Sequence, residues 1–221
     1  MLATVPQVVG KQATESWRHL LRGVVTSGLR LVELLNISWN KRQTIQPRWR
    51  GDRLPMLWFP AHLQKNRKSQ EIPLCPWFEQ LLEQTPLELR TGWVFNPESL
   101  ETKFSGRTYR GKRLSSSRVS TVVCDIGEQA KIVVDEGNHR TGSAEKYASM
   151  HDLRRTFAQR LADSDLPPEL TSKLMRHADP RTTRRYYLVA NAQRDAEKIR
   201  HVLGDKMVPN SKGYHKNLKS T

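Results

Sequence analysis

SMHDLRRTFAQRLADSDLPPELTSKLMRHADPRTTRRYY, residues 149–187, gathers two imidazoles, the Arg154-Arg155 pair and two tyrosines into three short helical patterns. Ser149 and Asp152 form a capping box, which starts a helix just before His151 and turns its positive end toward whatever His151 touches. An anion suits that place. His151 and Arg154 stand three apart and share a flank of this helix, beside an apolar stripe of Leu153, Phe157 and Leu161 that buries it. Pro167 and Pro168 are tolerated only at a helix start, so LTSKLMRH is a second helix with His177 at its end. Asp179 and Pro180 cap and open a third, which carries Tyr186 and Tyr187.

Toward the N-terminus, residues 1–10 lack a polar face, and a helical pattern begins at Ala13. Its apolar positions are Trp17, Leu20, Leu21, Val24 and Val25, and Gly28 is its stop. A second short helix starts near Arg30 with Leu31, Leu34 and Leu35, which sets Arg30 at a helix-to-helix junction. Residues 40–51 are polar and basic. Two short strands follow, Met56 to His62 and a second running to Ile72 and Leu74, joined by a turn of Lys65, Asn66, Arg67 and Lys68. Pro76 opens an amphipathic helix, WFEQLLEQ. After a short apolar segment, Trp93 to Phe95, residues 96–112 read as a loop. Ser115 to Ser117 cap a helix through Val119, Val122, Val123 and Ile126 that ends about Lys131. DEGNHRTGSAEKY is expected to be structureless. NAQRDAEKIRHVLG is a last helix, stopped by Gly204, and residues 205–221 form a basic, flexible tail with Lys206, Lys212, Lys216 and Lys219.

The chain has 221 residues, enough for one well-buried core with extensions. Its 37 Lys and Arg against 22 Asp and Glu leave a formal charge of +15, which favours a polyanionic partner, nucleic acid being the commonest. Cys75 and Cys124 are far apart, which excludes a disulfide framework and a Cys-rich zinc site and suits a reducing compartment. No apolar run approaches the roughly 18 residues that span a bilayer, and no basic start precedes an apolar core. The expectation is a soluble, cytoplasmic protein that does not engage membranes.

Singly, each polar residue has an ordinary structural reading. His151 and Arg154 suit a solvated helix face, His177 balances a helix dipole, the tyrosines pack, and Lys65 is a turn lysine. Together they meet the needs of in-line attack on a phosphodiester without metal. That reaction requires a nucleophile able to hold the phosphoryl group, cations for the equatorial oxygens, and an acid for the leaving oxygen. Tyrosine can form the intermediate, arginine stays charged in a bidentate clamp, and lysine or histidine can move protons. Asp152, Asp163, Asp165 and Asp179 do not recur on one helical face as a two-metal site would need. No P-loop, H-E-x-x-H or G-x-S-x-G pattern occurs. Neither metal nor cofactor is expected.

Four segments in order, SGLRLVELLNISW, QKNRKSQEIPL, HDLRRTFAQRL and LMRHADPRTTRRYY, resemble the catalytic domain of the tyrosine recombinases, or phage integrase family. The resemblance implies a mainly α fold with a small antiparallel β-sheet (α+β) of about three strands carrying Lys65. It further implies that Arg30 is the first active-site arginine, with Glu33 as its orienting carboxylate. Lys65 is the general acid to the leaving 5′ hydroxyl, and Arg154 joins Arg30 on the scissile phosphate while His151 assists proton transfer. His177 hydrogen-bonds a phosphate oxygen, and Tyr186 forms a 3′-phosphotyrosyl link. Lys68 or Arg67 could stand in for Lys65, and Tyr187 for Tyr186. Arg155 is expected on DNA backbone or a carboxylate. Where the family has L-G-H, this chain has Met175-Arg176-His177, so a helix end lacks its common glycine.

By the same resemblance the partner is double-stranded DNA, the function is site-specific recombination or integration, and the working complex is a homo-tetramer on two duplexes. Residues 1–204 are expected to form the catalytic domain, and the helical core-binding domain that generally precedes it to be absent from this chain. Two other readings stay open: a relaxing enzyme of the type IB topoisomerase kind, and a DNA-binding remnant that has lost activity.

Overall fold

The computed structural model describes residues 1–98, 113–137, 142–164, 166–176, 181, 183 and 199–200. A long helix, α1 (Val5–Ser27), is the axis on which the other elements are laid. Val5, Val9, Ala13, Trp17, Leu20, Leu21 and Val24 are buried along it at spacings of three and four, the period that keeps one helical face inward. The helix therefore begins eight residues before the expected start at Ala13. It crosses a local break at Gly10 (φ 78°, ψ 164°), so Val5 and Val9 extend the stripe that Trp17 anchors. Gly28 ends α1 in the left-handed conformation (φ 60°), its N–H returning to the Val24 carbonyl.

The short helix α2 (Leu31–Leu35) follows at once. Three strands, β1 (Gln46–Arg50), β2 (Arg53–Phe59) and β3 (Gln70–Pro73), then form an antiparallel sheet in chain order. Leu57 lies between Pro47 and Ile72, and Leu57 and Phe59 turn the inner face of the sheet to the core. β2 stops at Phe59 rather than reaching His62, because Pro60 has no N–H for the ladder and residues Ala61–Leu63 coil into a 3-10 turn. β1 lies within the polar, basic stretch in which the residues gave no strand signal.

The helices α3 (Pro76–Glu83), α4 (Ser116–Gln129) and α5 (Met150–Asp163) each pack on α1. The Ser115 hydroxyl accepts the Arg118 N–H at 3.2 Å, the expected cap of α4. Between α4 and α5 two short strands pair, β4 (Val133–Asp135) with β5 (Lys146–Tyr147), so the segment 135–147 expected to be structureless has strand at both its ends. Its base is tight: a Cβ on Gly127 would lie 2.0 Å from the Ala148 carbonyl oxygen, so glycine lets α4 and this segment touch. The last described helix, α6 (Pro168–Met175), starts at the predicted prolines and ends two residues before His177, with Arg176 left-handed at φ 50°. The expected third helix with its tyrosines, the last helix and the basic tail fall outside the described residues, apart from isolated helical positions. Among the described residues no helix is long and apolar enough to cross a membrane.

Candidate active site

Arg30 occupies the N-cap of α2 with an extended backbone (φ −66°, ψ 147°). The turn that Gly28 makes at the end of α1, and the burial of Leu29, dictate this position. Glu33 braces it at both ends: one carboxylate oxygen accepts the Arg30 backbone N–H at 3.0 Å, and the other accepts from the guanidinium at 3.2 Å. Glu33 is thus hydrogen-bonded to both the backbone and the side chain of Arg30. The far side of the Arg30 guanidinium donates to the Arg176 carbonyl at 3.1 Å, and the side chain remains about half exposed, at 49%.

Arg154 reaches the same place from α5. It is only 7% exposed, because its long side chain runs inward to the end of α1 and the end of α6 rather than along the solvated flank. One terminal nitrogen donates to the Gly28 carbonyl and the other to the Met175 carbonyl. Residues 30 and 154 therefore end on the adjacent carbonyls of Met175 and Arg176. Both guanidinium groups gather at the C-terminal end of α6, where unpaired carbonyls and the helix dipole favour cations. A Cβ on Gly28 would meet the Phe157 ring at 2.1 Å and the Met175 sulfur at 2.9 Å, so this glycine admits the contact that brings α1, α5 and α6 together.

His151 is exposed in the first turn of α5, one turn from Arg154. The capping box that places it is formed: Asp152 accepts the Ser149 backbone N–H at 3.0 Å and its hydroxyl at 2.6 Å. Arg155 lies 3.7 Å from that same carboxylate, one of the two surroundings expected for it. Lys65, Arg67 and Lys68 all sit exposed in the turn between β2 and β3. Arg67 takes the left-handed conformation (φ 54°), and the Asn66 side chain accepts the Lys68 N–H at 3.1 Å. His177, Tyr186 and Tyr187 lie outside the described residues.

Two residues at the site are not among the site residues expected from the sequence. Arg176 turns its side chain back from the end of α6 and donates to Glu33 Oε1 and to Gln64 Oε1, each at 2.5 Å. Its guanidinium lies 3.8 Å from the centre of the Phe59 ring. Burial lowers its pKa from the ordinary arginine value, Glu33 opposing that shift and Arg30 adding to it. Gln64, which precedes Lys65, is buried. The only sequence feature that pointed here was the replacement of a glycine by Arg176, next to His177. No group of metal-ligating side chains occurs among the described residues.

The sequence model of the phage integrase family matches residues 4–194, and the chain belongs to that family. The Tn1549 transposon integrase in complex with transposon right end DNA is similar over 91% of this chain and 62% of its own, at 14% identity and a TM-score of 0.53. XerA recombinase is similar over 90% of this chain and 61% of its own, at 15% identity and a TM-score of 0.51. XerH site-specific recombinase bound to palindromic difH substrate is similar over 90% of this chain and 50% of its own, at 16% identity and a TM-score of 0.52. No curated protein matches the chain. The fold is that of tyrosine recombinase catalytic domains, helix-rich with small antiparallel sheets, and the chain spans half to about three-fifths of the length of these solved relatives.

Proposed function

We propose that this chain is the catalytic part of a site-specific DNA recombinase that cleaves and rejoins strands through a 3′-phosphotyrosyl intermediate. The observation that carries the reading is the convergence of Arg30 and Arg154 on the end of α6, with Glu33 bracing Arg30. Two guanidinium groups held close by opposing carbonyls and a carboxylate make a cradle for a phosphodiester whose charge grows on its equatorial oxygens.

In this scheme the Tyr186 phenol gives up its proton to His151 as its oxygen attacks phosphorus, and the bond to the 5′ oxygen breaks. Lys65 delivers a proton to that leaving oxygen, His151 assists proton transfer, and Arg30, Arg154 and His177 hold the phosphate. The ester energy is kept in the tyrosyl link, so a 5′ hydroxyl from a partner strand can reverse the step without ATP, metal or cofactor. Residues 1–204 act as the catalytic domain, double-stranded DNA is the partner, and exchange between two duplexes uses four protomers in the cytoplasm. The tail 205–221 adds positive charge and can dock on a neighbour. Two of the relatives named above support this reading, since the structures of the Tn1549 integrase and XerH hold transposon right end DNA and difH substrate.

A suicide DNA substrate, nicked so that the cleaved end diffuses away, should trap a covalent complex with its adduct on Tyr186. Tyr186→Phe should abolish it. An adduct that persists in this variant would move the nucleophile to Tyr187.

A further inference from the structure

Arg176 has no role in the chemistry just described, yet its side chain lies in the middle of the site. Its backbone is left-handed (φ 50°, ψ 46°), a conformation that suits glycine and strains a residue with a Cβ. The side chain is only 11% exposed, so the chain has buried a cation where a glycine would fit more easily. Such a burial requires partners, and the partners identify what the cation does.

The guanidinium joins three pieces of the site. One terminal nitrogen is held by Glu33, the carboxylate that also braces Arg30, and the other by Gln64, the residue before Lys65. Its face rests on Phe59, the last residue of β2. Gln64 is the root of the Lys65 turn: its N–H returns to the Ala61 carbonyl at 3.0 Å and its own carbonyl accepts the Arg67 N–H at 3.2 Å. Without Arg176, nothing else recorded among the described residues bonds to the Gln64 side chain, whose amide nitrogen is already without a partner there. Both terminal nitrogens of Arg176 are engaged with Glu33 and Gln64, and its Nε has no hydrogen-bond partner among the described residues.

We propose that Arg176 is a positioning residue that docks the Lys65 turn against the arginine pair, acting through Gln64 and Glu33. The proposal rests on the reading of that turn as the source of the proton for the leaving 5′ oxygen. A lysine would not serve in its place, because a single ammonium lacks the planar fork that spans two acceptors.

The test compares single-turnover cleavage of two suicide substrates at saturating full-length protein. One has the ordinary 5′ oxygen at the scissile position; the other has a bridging sulfur, which leaves as thiolate and needs no proton. Arg176→Gly keeps the left-handed backbone and removes only the side chain. It should slow cleavage of the oxygen substrate toward the roughly 100-fold that loss of a general acid costs, with DNA affinity unchanged. On the sulfur substrate it should cut at close to the wild-type rate, which also shows that the variant is folded. Gln64→Leu should repeat this pattern from the other side of the bond. Equal slowing of Arg176→Gly on both substrates, or full activity on the oxygen substrate, overturns the proposal. Lys65→Ala separates the two readings. If it is rescued by sulfur while Arg176→Gly is not, the positioning role fails and the acid stands. If Arg176→Gly is rescued and Lys65→Ala is not, the acid is another residue of the same turn and the positioning role stands. If neither is rescued, both fall.

Discussion

Gly28 meets two demands that no other residue satisfies together. Its φ of 60° closes α1, and its missing Cβ leaves room for the Phe157 ring and the Met175 sulfur. Gly28→Ala should therefore cost about 2–5 kcal/mol, summing left-handed strain and overpacking. It should also reduce DNA cleavage, because the Gly28 carbonyl holds Arg154. Urea unfolding and the suicide-substrate assay read the two effects, and an unchanged midpoint would refute the packing argument. Residues whose partners are near in sequence were legible: Arg30 with Glu33 three along, and Ser149 with Asp152. Arg176 was not, because its partners lie 112 and 143 residues away and no local pattern encodes such a pair. Arg154 was legible as a site residue, but its burial against two helix ends depends on packing that spacing alone does not reveal.

Among the elements, α5 depends most on its first turn, since the capping box sets both the start of the helix and the place of His151. Asp152→Ala should lower stability by about 1 kcal/mol, a fall of roughly 2–4 °C in Tm. A thermal melt that does not move would mean that the cap contributes nothing. Helices α3 to α6 could be read because each has a proline or serine start followed by buried residues at helical spacing. The strands were harder. β1 carries Arg48 and Arg50 and contains Pro47, so its alternation is masked, while β4 and β5 have three and two residues, too few for any period. In β1 side-chain contacts stand in for hydrophobic alternation: Arg48 lies 4.0 Å from the Trp58 ring centre, and Glu71 pairs with Arg48 and Arg50 at 3.2 and 2.6 Å.

Over the whole molecule, the formal charge of +15 predicts that DNA affinity falls steeply with salt. With roughly six phosphates neutralised, a plot of log affinity against log salt should slope near −5. Filter binding or anisotropy across a salt series measures it, and a flat line would remove DNA as a partner. The overall fold class was legible because four motifs in the right order fix the family. How the two halves meet was not, since that depends on α1 lying under α3, α4 and α5 at once. Arg154 shows what this meeting means for the timing of assembly. Its guanidinium is bound to the carbonyls of Gly28, which caps α1, and of Met175, the last residue of α6, so folding itself strips it of water and fixes it. In the proposed reaction DNA would meet a cation already in place, and a chain that has not brought α1 and α6 together would have no such cation to offer.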